Sequence, residues 1–406
     1  IIQKMKINMF KDFFYKFFLM KSRTKKIIKE FQLDNTILYS WGMKRSGEFL
    51  RNNTKNKKLV FIEDGFVHSF GTKKKKIPFS ICYDNQGIYY DCDSDNDLKK
   101  YVKEKLSKKN TSRAKKIIEL WKKYSISKYN FSSFIEPPSF PYILLVDQTF
   151  GDLSIDYGDA DENSFKKMFE FAVNNWPDHK IIIKSHPDVI NYKKKGCIDI
   201  SNYPKDRIII LGDIGQINRL IEFSSAVCVV TSQVGFEALI YGKDVHVFGS
   251  PFYSGLGLTF DNNLNNKEVK KNITLEQLVF SSLVKYQICI DPRTKKICEI
   301  EEIMQYIHYS REAYKFFPQD LEAINLTPWK ARQINRFVYP AIGKKVKFFK
   351  RFKSKMKNIV VWGKNTRIEN YISKVNDLIS VEDGFIRSVG LGGDLYPPLS
   401  LLFDKK

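Results

Sequence analysis

Apolar and polar positions alternate unevenly in the first third of the chain and regularly after it. Residues 1–35 read as a basic helical segment. Short apolar runs at Thr36 to Tyr39, Lys58 to Ile62, Ser80 to Tyr83 and Gly87 to Tyr90 then predict strands. Helices are predicted over Asp97 to Lys108 and roughly Ser112 to Tyr124. Pro137, Pro138 and Pro141 mark a domain boundary. Beyond it strands at Tyr142–Val146, His179–Lys184, Arg207–Leu211, Ala226–Val230 and Val245–Phe248 alternate with helices at Asn163–Asn174, Ile214–Phe223 and Gln233–Tyr241. Such βαβ alternation implies an α/β fold, with a parallel sheet covered by helices on both faces. Residues 265–345 read as mostly helical and lysine-rich, including Asp320 to Arg336.

One pattern occurs twice. Trp41-Gly42, Glu63-Asp64-Gly65-Phe66, Pro78 and Ser80 to Asp84 return as Trp362-Gly363, Glu382-Asp383-Gly384-Phe385, Pro398 and Ser400 to Asp404. The reading is one complete module followed by the opening of a second. The chain begins at Ile1 rather than a methionine, so residues are expected upstream. The segment after 345 is expected to lack the helices that would cover its apolar strands.

The chain has 406 residues, 43% hydrophobic and 28% charged, within the range of folded proteins and enough for two or three domains. Its net charge of +23, mostly lysine, matches ordinary solvated faces or an anionic partner. Nucleic acid is disfavoured as that partner, since no zinc spacing, stacking platform or recognition helix accompanies the charge. Six scattered cysteines without CxxC pairing read as buried thiols in a reducing compartment. No apolar stretch is long enough to span a bilayer. The aromatic-rich Met9 to Met20, followed by the basic run Lys21 to Lys26, reads as an amphipathic docking helix or as a segment lying on an anionic membrane surface.

Ligands of open parallel sheets bind beyond the carboxyl ends of the strands. Read off there, the candidates are Asp147-Gln148, Ser185-His186-Pro187, Gly212-Asp213, Thr231-Ser232-Gln233 and Gly249-Ser250-Pro251, with Glu63-Asp64-Gly65 in the first third. Ser232 and Gln233 either cap the helix they precede or offer its N–H groups to a phosphate. Glu237 faces the same rim or is a surface carboxylate. Gly249 to Gly257 suits a flat or sugar ligand, or a tight turn. No GxGxxG and no P-loop is present, which leaves dinucleotide oxidoreductases and P-loop kinases without support.

At these residues the chain resembles the KpsC-type capsule polysaccharide biosynthesis proteins, whose relatives include LipB. The resemblance runs from about residue 36 to 406. It rests on Glu63-Asp64-Gly65-Phe66, Val146-Asp147-Gln148-Thr149, Ser185-His186-Pro187-Asp188, Ser232 to Thr259 and the join Trp329-Lys330-Ala331-Arg332. One departure is His68, which stands where the second copy has Arg387.

The resemblance implies a GT-B-like fold of two Rossmann-like lobes with a cleft between them. An acceptor-side lobe is expected at 36–140, a CMP-sugar lobe at 141–270, a helical linker at 271–345 and the truncated start of a second module at 346–406. It implies retaining transfer of Kdo (3-deoxy-D-manno-oct-2-ulosonic acid) from CMP-Kdo onto a Kdo-containing glycolipid primed on phosphatidylglycerol. Its place would be the cytoplasm, at the cytoplasmic face of the inner membrane.

Retention by two carboxylates calls for groups roughly 5 Å apart. Asp147 is the candidate nucleophile and Glu63 the candidate base from the opposite lobe, with Asp64 as substitute or loop partner. Lys184, Ser185, His186, Pro187, Ser232 and Gln233 would hold the phosphate of CMP, and Glu237 its ribose or cytosine. Gly235, Gly249, Tyr253 and Gly255 complete the expected donor site. No DxD-type metal site is evident, so transfer is expected to need neither metal nor cofactor. The competing readings are another CMP- or UDP-sugar transferase on the same lobes and a non-catalytic glycan-binding assembly protein.

Overall fold

The computed structural model describes residues 22–405 apart from 44–47, 50, 52–58, 71–77, 131–135, 186–188, 190–194, 202, 204, 213–215, 264–272, 319, 343–344, 351–352, 354, 364–372, 374 and 387–396. The chain divides into two compact units, residues 1–305 and 306–406.

The described residues of unit one form two sheets. The first is mixed: β1 (Leu38–Trp41) and β2 (Leu59–Asp64) are parallel. Next, β3 (Ser80–Asp84), β10 (Gln287–Ile290) and β11 (Ile297–Cys298) add on antiparallel, in the order β1-β2-β3-β10-β11. The first lobe is therefore discontinuous in sequence. Residues 287–298 return to close its sheet, where a helical linker was expected; their apolar strands bury against β3 instead. Helix α1 (Ser22–Glu30) also belongs to this lobe, since Ile27 and Phe31 are buried with Tyr39, Trp41, Val60 and Ile62. Gly87 to Tyr90, expected as a strand, is a loop. The Asp84 carboxylate accepts from the Gln86 and Gly87 N–H groups at 2.8 and 3.0 Å and turns the chain there.

The second sheet is wholly parallel, ordered β6 (Ile208–Leu211), β5 (Lys180–Lys184), β4 (Tyr142–Val146), β7 (Ala226–Val229), β8 (Val245–Val247), β9 (Phe260–Asp261). That is the 3-2-1-4-5-6 order of a doubly wound domain, whose winding reverses between β4 and β7. Its strands are apolar on both faces because helices cover both. On one face Phe165, Met168, Phe169 and Ala172 of α4 (Glu162–Asn175) bury against Ile143, Leu145, Ile181 and Ile183. The helix α4 starts at a capping box in which Asp161 and Ser164 satisfy each other's backbone N–H groups. In chain order, α2 (Asp97–Val102), α3 (Lys108–Lys123), α5 (Ile217–Phe223) and α6 (Val234–Tyr241) complete the helices that frame the two lobes.

The lobes of unit one meet at Phe66, which is 0% exposed. Its ring lies 5.1–6.4 Å from those of Tyr89, Phe236, Phe252 and Tyr286. Its carbonyl accepts from Gln233 Nε2 at 2.8 Å.

Unit two repeats the opening of the first lobe. In it β12 (Leu321–Ile324), β13 (Lys347–Phe349), β14 (Asn358–Trp362), β15 (Asp377–Asp383) and β16 (Leu401–Lys405) form a sheet ordered β13-β12-β14-β15-β16. Glu382 stands opposite Leu402, as Glu63 stands opposite Cys82. Ser400 Oγ donates to the Ile386 carbonyl at 2.7 Å, as Ser80 Oγ donates to Val67 at 2.8 Å. This unit carries its own core, contrary to the expectation of uncovered strands. Ile334 and Val338 of the helix Pro328–Ile342 bury with Phe317 against Val360, Ile379 and Val381. The expected boundary near 345 thus falls inside a folded unit. Leu321–Ile324, expected as helix, is drawn into the sheet by its pairing with β14.

Candidate active site

The sheet reversal places Asp147 and Thr231 side by side, at the exits of β4 and β7. Gln148 joins them: its Nε2 donates to Thr231 Oγ1 at 2.9 Å and its Oε1 accepts the Thr231 N–H at 3.0 Å. Asp147 is 5% exposed. Its Oδ1 accepts the N–H groups of Gln148, Cys197 and Ile198 at 2.9, 2.9 and 3.1 Å. Among the described residues no hydrogen bond reaches Oδ2. Burial pushes this carboxyl above the usual carboxylate range despite the opposing pull of the three N–H groups. One oxygen is thereby anchored and the other, among the described residues, unbonded, an arrangement compatible with nucleophilic attack.

The first lobe supplies the second carboxylate pair at the end of β2. Successive strand residues point to opposite faces, so Glu63 and Asp64 diverge. Glu63 Oε1 accepts the Asp64 N–H at 3.1 Å. Its Oε2 lies where a β-carbon on Gly42 would come within 2.6 Å, which is one reason for glycine there, at φ +51°. Asp64 is held on its other side. Arg23 Nη2 lies 2.6 and 2.9 Å from its two oxygens, and His68 Nε2 is 3.4 Å away. Burial would raise its pKa, but His68, Arg23 and Lys128 hold it down to about 2. A carboxylate so stabilised is a poor proton acceptor near neutral pH.

Lys128 lies in the segment that links the lobes. Its N–H donates to Glu237 Oε1 at 3.2 Å, and its carbonyl accepts the His68 N–H at 2.9 Å. Its ammonium faces Tyr89, Tyr129, Asp64 and Glu63, which keep it charged in spite of burial. Glu237 is 1% exposed, not on an open rim, and burial raises its pKa to about 7 against the pull of Ser127, Lys128 and Gln233.

Other candidates have packing roles. Tyr253, expected to touch the donor, is wholly buried, and its hydroxyl donates to the Ser232 carbonyl. Gly235 is glycine because a β-carbon would lie 2.3 Å from that hydroxyl. Gly249 lies against the Thr231 methyl and the Val230 carbonyl, and Gly255 takes φ +67° with its N–H donated to Asp261 at 3.0 Å. Ser232 Oγ accepts the Val234 N–H at 3.3 Å, within the first turn of α6. Ser185 N–H is taken by the Leu211 carbonyl at 3.0 Å, and the Lys184 ammonium donates to the Gly212 carbonyl. His186 and Pro187 lie outside the described residues.

Sequence reading missed Arg23, Lys128 and Gly196. The one signal for Arg23 was an arginine inside a run of lysines. Among the described residues no three His, Cys, Asp or Glu side chains come together as a metal set, and no helix is long and apolar enough to cross a membrane.

Known proteins resemble the chain along most of its length. The family model of capsule polysaccharide biosynthesis proteins matches residues 36–142 and 111–288. The capsule polysaccharide modification protein LipA of Neisseria meningitidis serogroup B is 31% identical over 390 residues, 90% of this chain and 55% of LipA. The lipopolysaccharide-processing protein LpsZ of Rhizobium meliloti is 30% identical over 234 residues, 55% of this chain and 53% of LpsZ. The chain thus spans about half the length of the curated relatives it matches. Among solved structures, the beta Kdo 2,4 transferase of Thermosulfurimonas dismutans KpsC matches with a TM-score of 0.61 and 29% identity, over 66% of this chain and 86% of that one. The beta Kdo 2,7 transferase of the same KpsC matches at 0.54 and 25%, over 71% and 97%.

Proposed function

The chain belongs to the capsule polysaccharide biosynthesis protein family, and we propose that unit one is a retaining glycosyltransferase that moves Kdo from CMP-Kdo onto a Kdo-containing glycolipid. The observation that carries this reading is Asp147, set at the reversal point of a doubly wound sheet with one oxygen anchored and one, among the described residues, unbonded. The likeness to the two KpsC transferase structures supports Kdo as the sugar.

In this mechanism Asp147 Oδ2 attacks the anomeric carbon, the bond to the CMP phosphate breaks, and a Kdo ester forms. Glu63 then takes the proton of the acceptor hydroxyl as that oxygen displaces Asp147, restoring the original configuration by double inversion. Asp64, held by Arg23 and His68, orients the turn rather than accepting the proton. The first turn of α6 and His186 would neutralise the phosphate. Transfer is proposed to need no metal. The acceptor would be primed on phosphatidylglycerol at the cytoplasmic face of the inner membrane, with the basic N-terminal run near the lipid surface.

The deciding experiment is incubation with CMP-Kdo followed by intact-mass analysis. A Kdo adduct mapped to Asp147 is expected. Normal transfer by D147N would overturn the mechanism, and absence of both CMP binding and transfer would favour the glycan-binding alternative.

A further inference from the structure

We propose that Arg23 is a positioning residue for Glu63, acting through the two strand-end turns that bracket it. The inference rests on the transferase reading, in which Glu63 is the base. Arg23 sits on α1, whose Ile27, with Phe31 just after the helix, is fixed in the core of the first lobe. Its guanidinium bridges two turns. On one side Nη2 binds both oxygens of Asp64, at 2.6 and 2.9 Å. On the other its central carbon stands 4.5 Å from the centre of the Trp41 ring.

Those two contacts fix the walls of the niche that holds Glu63. Trp41 leads into Gly42, whose N–H donates to the Ile62 carbonyl at 2.9 Å and whose α-carbon lies against the Glu63 carboxylate and the Tyr90 hydroxyl. Asp64 follows Glu63 directly, and its N–H holds Glu63 Oε1. A charged hydrogen bond to Asp64 and a face contact with Trp41 therefore set the spacing of both neighbours of Glu63. Without Arg23, Asp64 and Glu63 would sit adjacent with one compensating cation fewer, and the turn after β1 would lose its tie to β2.

The contact with the tryptophan recurs in unit two. In unit two Lys330, on the helix Pro328–Ile342, stands 4.9 Å over the ring of Trp362, the counterpart of Trp41. Both copies of the Trp-Gly turn thus receive a cation from the helix that precedes them.

The test is steady-state transfer from CMP-Kdo to a Kdo-terminated acceptor by the whole protein and its R23M, R23K, D64N and R23M/D64N variants. R23M is expected to lower kcat about ten- to a hundredfold, as for a small misplacement of a catalytic group, with the KM for CMP-Kdo unchanged. R23K should recover part of that loss, and the double variant should lose no more than D64N alone. Should R23M not fold, R23K, D64N and their combination make the same cycle. Wild-type kcat in R23M, or losses that multiply in the double variant, would overturn the inference while the transferase reading stands. A wild-type protein that transfers nothing overturns that reading and this inference with it.

Discussion

Gly196 closes over Asp147 so tightly that a β-carbon on residue 196 would stand 2.2 Å from the carboxylate Oδ2. The next two residues, Cys197 and Ile198, donate their N–H groups to Oδ1 of the same carboxylate. The segment is fastened beside the β4 exit by the bond from Phe150 N–H to the Lys195 carbonyl at 3.0 Å. A side chain at 196 must displace either this strap or the nucleophile. We expect Gly196→Ala to lower kcat roughly a hundredfold, with a near-native circular dichroism spectrum. Unchanged transfer rates in G196A would show that Oδ2 is not the attacking atom.

The two adjacent acidic residues of the first lobe should separate kinetically. Glu63→Gln removes the proposed base, so the Kdo ester on Asp147 should form but persist. We expect steady-state transfer to fall about a thousandfold, within the range of general-base deletions, while the adduct accumulates in intact-mass spectra. Asp64→Asn should cost less and accumulate less adduct. The reverse order would reassign the base to Asp64.

Glu237 makes stability depend on pH. Its pKa rises from 4.5 to about 7 on folding because burial disfavours its charge. Its stabilising contribution is complete below about pH 4.5, where the carboxyl is neutral in both states. The unfolded chain ionises first as pH increases, so that contribution is lost up to and through pH 7. The loss is of the order of 3 kcal/mol. Urea midpoints at pH 5 and pH 8 should therefore differ less in Glu237→Gln than in the wild type; an equal difference would mean that Glu237 titrates normally.

Phe66 and Phe385 occupy the same place in the two copies of the sequence motif and should respond unequally to truncation. Phe66→Ala opens a cavity at the seam of unit one and should destabilise it by about 3–5 kcal/mol. Phe385 is 95% exposed, and Phe385→Ala should change the stability of unit two by less than about 0.5 kcal/mol. Urea titrations of the variants, followed by tryptophan fluorescence, check both values.

Much of this protein was legible before it was folded. Strand alternation after Pro141 marked the parallel sheet, because strands covered on both faces must be apolar throughout, and the exits of those strands marked Asp147 and Ser232. The duplicated Glu-Asp-Gly-Phe marked the repeat that the registers of β2–β3 and β15–β16 reproduce. Other readings failed where a residue's meaning depends on distant partners. Residues 287–298 read as part of a helical linker, yet they pair with Ser80–Cys82 some two hundred positions away. Tyr253 reads as a ligand contact until its hydroxyl is found against Ser232.

Local pattern determined which segments are strands and helices, where the sheet ends, and which acids stand there, because burial periodicity and strand exits are properties of neighbouring residues. Tertiary structure alone decided what each acid is. Asp64 is held ionised by Arg23 from forty-one positions upstream, Asp147 is raised by burial under the strap at Gly196, and Glu237 is raised inside the seam between lobes. Charge and desolvation act through space, so sequence distance carries no information about them.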